Sequence, residues 1–154
     1  MEKFEEYKFF TERVERHSER RQQASQNYLT INTAVFGIIV LVLKDSGLHG
    51  WNLVVGASPL FLVGIIISSV WLKIIFDYKK MIDWHYEQLR EMEKEIPGSF
   101  QMHTREWEEF FNPAKPRKGQ VGFSHLEAWM PLLFTAIYII YLIGLAAGVN
   151  NGLF

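Results

Sequence analysis

The hydrophobic positions along this chain fall into three blocks. Residues 28–43, 51–76 and 123–149 hold most of the aliphatic side chains, whereas residues 1–26 and 77–122 hold almost all of the charge. Segregation of this kind marks a chain built for two solvents, because hydrocarbon accepts apolar side chains and rejects charge. The pattern predicts an all-α fold: three transmembrane helices with cytosolic helical extensions, organised as a single membrane domain over residues 1–154. The first block, YLTINTAVFGIIVLVL, provides about 24 Å of helix, short of a hydrocarbon core of about 30 Å. Asn27 and Lys44 at its flanks must complete the crossing, Lys44 by snorkelling. The second block is long enough to span with tilt, and Pro59 is placed to bend it. The third carries no charge from residue 129 to 149.

Basic residues set the orientation. Lys3, Lys8, Arg13, Arg16, Arg20 and Arg21 precede the first block, and eight more, from Lys79 to Lys118, lie between the second and third. The segment 44–50 offers only Lys44, and no basic residue follows Val149. The amino terminus and the long connection are therefore expected in the cytosol, with the carboxyl terminus outside. Trp51 suits the outer interface, and Tyr28, Trp71 and Trp129 the inner one.

Beyond the second block a helical period continues. Tyr78, Ile82, His85, Leu89, Met92 and Ile96 alternate by four and three, a heptad-like seam that either joins subunits or closes a small core within the chain. No helix breaker lies between Trp71 and Ile96, so the second helix is expected to run on until Pro97-Gly98. A weaker stripe of Phe4, Tyr7, Phe10 or Thr11, and Val14 precedes the first block. Thr104 is placed to cap a short helix reaching Phe111, which would present Trp107, Phe110 and Phe111 as an apolar interfacial anchor. Residues 112–122, with Pro113, Pro116, Gly119 and Gly122, read as a loop.

A formal net charge of -1 gives no case for nucleic acid, and the absence of cysteine excludes thiolate chemistry and disulfides. The first block begins after 27 residues without a small-residue cleavage site, so it reads as a retained span. Asp83, His85 and Glu87 lie close in sequence, but residues two apart point to different faces of a helix. No paired-histidine, glycine-rich phosphate or serine-elbow pattern occurs. The expectation is no enzyme, no cofactor and no metal, with a structural role for His85.

Inside the apolar blocks, Asn32 and Thr33 on the first and Thr135, Tyr138 and Tyr141 on the third need partners where water is absent. Asn32 and Thr135 lie at similar depth, which predicts a hydrogen bond between those helices worth about 0.6–2 kcal/mol. The sharper alternative is a water-filled path lined by these residues. Gly64 with Ser68, and Gly144 with Gly148, repeat at four-residue spacing and favour close helix packing. Glu127 is expected at the headgroups.

Four stretches carry a more specific likeness. They are residues 20–33, ending Leu-Thr-Ile-Asn-Thr; Gln88-Leu-Arg-Glu-Met-Glu followed by Ile96-Pro-Gly-Ser; Arg105-Glu-Trp-Glu-Glu-Phe-Phe; and Gly122-Phe-Ser-His-Leu-Glu-Ala-Trp-Met-Pro. Together they resemble the RipA family of octameric bacterial membrane proteins over nearly the whole chain. The start of the first block is more loosely similar to SLATT-type membrane domains, proposed as pore-forming effectors. The first resemblance implies a bacterial cytoplasmic membrane location and a homo-octamer, and supplies no catalytic residue. Two function classes follow. One is a non-enzymatic oligomeric scaffold or stress-adaptation protein, its partners being the bilayer, further copies of itself and a cytosolic protein. The other is a channel or pore lined by Asn32, Thr33 or Tyr138.

Overall fold

A computed structural model of the chain describes residues 3–112 and 123–152, with side chains from 126 in the last segment. The loop expected at 112–122 lies, beyond Asn112, outside the described residues. Four α-helices carry the chain: α1 (Lys3–Asp45), α2 (Trp51–Glu95), α3 (Met102–Glu106) and α4 (Phe123–Asn150), with a π-helical turn (Trp107–Phe111) following α3 directly. No strand occurs among the described residues. By length and composition, α1, α2 and the part of α4 from Leu126 are apolar enough to cross a membrane.

Both long helices outrun their apolar blocks. At 43 and 45 residues, α1 and α2 each extend about 65 Å, twice the hydrocarbon thickness. Nothing in α1 breaks the helix before Gly37, and α2 ends just ahead of Pro97-Gly98, where Gly98 takes a positive φ of 75° that favours glycine. Pro59 does not stop α2. The backbone N–H that it lacks would have served the Val55 carbonyl, and Ser58 Oγ donates to that carbonyl at 3.1 Å instead.

The described residues form two compact units, one of Met1–Gln23 with Phe76–His125 and the other of Ala24–Ile75 with Leu126–Phe154. In the first, α1 and α2 run antiparallel, with Tyr7 against Glu93 and both Phe10 and His17 against His85. Its centre is Val14, Ile82 and Leu89. In the second, α1 and α2 are again antiparallel, Tyr28 stacking on Trp71, while α4 runs beside them around a core of Ile39, Leu53, Val54, Ala57, Phe61, Tyr138 and Leu145.

The four-and-three alternation is a property of the whole of α2. Ala57, Phe61, Gly64, Ser68, Trp71 and Ile75 are buried in one unit, and Ile82, His85 and Leu89 continue the same spacing in the other. The seam read in residues 78–96 is thus spent largely inside the protomer: Ile82, His85 and Leu89 are buried there, and Tyr78, Met92 and Ile96 are half-buried.

Candidate functional site

Two buried polar clusters stand out, one in each unit. In the apolar unit, Asn32 sits on the inward face of α1, flanked one heptad step away by Tyr28 and Val35. Its side chain is fully buried, as are Ser68 and Tyr138. Ser68 Oγ donates to Asn32 Oδ1 at 2.8 Å, and the Tyr138 hydroxyl lies 3.0 Å from the Asn32 carbonyl and 3.2 Å from Oδ1. Asn32 Nδ2 turns back to donate to the Tyr28 carbonyl at 2.9 Å. One amide therefore ties three helices together, and every polar atom of the set has a partner without water.

Glycine makes room for this knot. A Cβ on Gly64 would stand 2.6 Å from two atoms of the Tyr138 ring, so the ring occupies the space that any other residue would need. Phe36 and Phe134 pack around the same ring. The pairing expected between Asn32 and Thr135 is not the one formed. Thr135 Oγ1 donates to the Pro131 carbonyl and Thr33 Oγ1 to the Leu29 carbonyl, each four residues back on its own helix. Both threonine hydroxyls are thus taken up by their own helices, and it is Ser68 and Tyr138 that reach across to Asn32. Thr33 is exposed on the outer face of α1.

A smaller chain of contacts lies at one end of this unit. Trp71 Nε1 donates to Ser25 Oγ at 3.3 Å, and Ser25 Oγ in turn bonds to Glu127 Oε1. Glu127, expected among solvated headgroups, is half-buried here.

The second cluster centres on Glu93, a carboxylate only 1% exposed. Oε1 accepts from the Tyr7 hydroxyl at 3.0 Å and the His103 N–H at 2.9 Å; Oε2 accepts from the Thr104 N–H at 3.0 Å and its Oγ1 at 2.9 Å. Those two backbone donors belong to the first turn of α3, so Glu93 of α2 supplies the cap that α3 lacks locally. Thr104 was expected to be that cap. The helix instead starts at Met102, after Gln101 turns through a left-handed φ of 53° and makes no side-chain cap bond, which leaves Thr104 inside the first turn. Burial alone would raise the Glu93 pKa, but its four hydrogen bonds outweigh this and hold the pKa below the ordinary 4.5. Burial, with the hydrogen bond and charge of Glu93, pushes Tyr7 up to about 12.

His85 Nδ1 lies 2.7 Å from the Met81 carbonyl, and because a carbonyl only accepts, Nδ1 carries the proton. Its ring packs against Phe10, His17 and Trp84. Burial, then the nearby His85 and the charges of Arg13, Arg20 and Arg16, lowers the His17 pKa. Asp83 pairs with Lys79 at 3.2 Å, away from His85.

Of the expected interfacial anchor, Trp107 is half-buried with the Arg90 guanidinium 4.5 Å above its ring, while Phe110 and Phe111 are exposed. An open groove of about 1110 Å³ runs alongside, lined by Trp84, Trp107, Phe111, Lys80 and Arg90 among others. Met92 and Ile96 line a smaller cleft of about 400 Å³ with Lys3 and Phe10.

Sequence reasoning missed Glu93, Ser68 as a hydrogen-bond donor, and Gly64 as a receptacle. A signal for the first was present: Glu93 follows Leu89 by four on the buried face, an unusual place for a lone carboxylate.

The octameric membrane protein family model matches residues 4–147 of the chain. No curated protein and no solved structure matches it.

Proposed function

The chain belongs to the octameric membrane protein family, and we propose that it works as a non-enzymatic homo-oligomeric scaffold or stress-adaptation protein of the bacterial cytoplasmic membrane. In this reading α1, α2 and α4 each cross the bilayer, with the amino terminus in the cytosol and the carboxyl terminus outside. The observation that carries it is the closure of the polar groups. Asn32, Ser68 and Tyr138 satisfy one another inside a single protomer, and Glu93 is consumed as a cap. A conducting or catalytic site needs polar groups held ready for a guest, and these have none to spare. Exposed Phe110 and Phe111, beside the groove of Trp84 and Arg90, offer a surface for a cytosolic protein.

The channel reading draws its support from a different face. Gln26, Thr30 and Thr33 are exposed along α1, the kind of lining that an aqueous path would use. Vesicles separate the two. Reconstituted protein is expected to leave an ion gradient and an entrapped dye intact; leakage that disappears in Thr33→Val or Asn32→Leu would establish the channel and overturn the scaffold.

A further inference from the structure

The outer surface of the apolar unit is not uniform. α2 presents Val55, Leu62, Val63, Ile66 and Val70, large side chains at home in lipid. Along α1, Gln26, Thr30, Thr33 and Gly37 lie exposed at spacings of four, three and four, one polar and small-sided line. Gln26 is a poor neighbour for acyl chains. On α4 the exposed line through Ala136, Ile140, Gly144 and Ala147 is small-sided apart from Ile140, whose side chain is 66% exposed.

Helix glycines carry a cost of about 1 kcal/mol relative to alanine, so each calls for a reason. Within the protomer, Gly64 has one in Tyr138 and Gly56 has one in Leu48, which a Cβ would meet at 2.9 Å. Gly37 and Gly144 have none: a Cβ at either meets nothing within 4 Å. The space that they leave open faces outward. They also share a level, because Asn32 bonds Tyr138 and Phe36 packs edge-on against Tyr141, which puts Gly37 and Gly144 each one turn or less further along parallel helices.

Symmetry gives that shared level its meaning. Copies of one sequence insert by the same signals and in one orientation, so eight of them close a ring only about an axis normal to the bilayer. Every contact in such a ring joins two different patches at equal depth. We infer that the α1 face bearing Thr33 and Gly37 packs against the α4 face bearing Gly144 of the next copy around the octamer. Thr30 and Thr33 suit a dry contact, since each hydroxyl is already bonded to its own helix. The inference rests on the oligomeric reading, and it takes the Thr33 face for a subunit contact where the channel reading would leave it open to water.

The chain has no cysteine, so crosslinking can be read without background. In native membranes under mild oxidation, a chain carrying both Gly37→Cys and Gly144→Cys is expected to give a ladder of bands rising to eight subunits, while each single variant stays monomeric. Co-expressed single-variant chains are expected to give dimers and nothing larger. Native mass is measured on the same samples. An intact octamer with no ladder and no mixed dimer would overturn the contact and leave the oligomer standing. Efficient dimers from Gly37→Cys alone would also overturn it, by placing α1 against α1 around the axis. Gly37→Leu is expected to lose at least half of the octamer, and full retention would count equally against the proposal.

Discussion

Glu93→Ala is expected to release α3 and the π-helical turn from α2. Four donors converge on this carboxylate, two of them backbone N–H groups at a helix start, and alanine leaves them facing a buried gap. Stranded buried donors cost about 1–3 kcal/mol each, and because the groups relax together the sum is about 3 kcal/mol. Melting of this unit, followed by near-ultraviolet dichroism and by protease sensitivity near Phe100, should shift well below that of the native protein. Glu93→Gln keeps one acceptor oxygen and sets an N–H against the remaining donors, so it should fall between the two. An unchanged midpoint in Glu93→Ala would remove the cap from the account.

The same cluster sets an acid limit. Because the Glu93 pKa is depressed in the folded state, the unfolded chain binds the proton more readily. Its contribution to stability is complete above the ordinary carboxylate value near 4.5 and is lost as pH falls through the lower folded value. Tyr7 works in the opposite sense. Its pKa is raised from 10.0 to about 12, so its contribution is complete below 10 and fades as pH rises toward 12. The Glu93→Ala protein should lose the acid-side slope.

Gly64→Val is expected to be the most damaging small substitution in the apolar unit. The first added carbon would fall 2.6 Å from the Tyr138 ring, and that ring is fully buried with its hydroxyl tied to Asn32. Overpacking of this kind costs about 1–3 kcal/mol, and here it also pulls the hydroxyl off its acceptors. Tyr138→Phe isolates the second effect, since it keeps the ring and deletes only the hydroxyl, at about 1 kcal/mol. Thermal stability in detergent should rank native, Tyr138→Phe, Gly64→Val. Equal stability of native and Gly64→Val would mean that the helices stand further apart than described.

The fold was legible because hydropathy speaks loudly over long stretches. Three apolar blocks and the lack of helix breakers before Gly37 and between Trp71 and Ile96 were enough for three helices fit to span a membrane and for their long extensions, while the family was legible only in the four stretches that resemble it. Partner choice was not legible to the same degree. Asn32 and Tyr138 were visible as polar residues in oil, yet Thr135 lies at the right depth too, and its hydroxyl turns back to the Pro131 carbonyl while Tyr138 and Ser68 reach Asn32. The seam from Tyr78 to Ile96 is a period, and a period does not say who sits opposite. In the chain that partner is α1, through Phe10 and His17 at His85 and through Tyr7 at Glu93. The cap on α3 comes from a residue ten positions away on another helix, and local capping rules cannot see it.

Each protomer closes the polar groups of its apolar unit by itself, and the contact proposed between copies uses only its outer faces. A density map of the protein in a lipid bilayer tests this most directly. Eight copies are expected, each with the Tyr138 hydroxyl on Asn32 of its own chain and with α1 of one copy against α4 of the next. Asn32 and Tyr138 turned toward a water-filled axis, or bonded to a neighbouring copy, would contradict it.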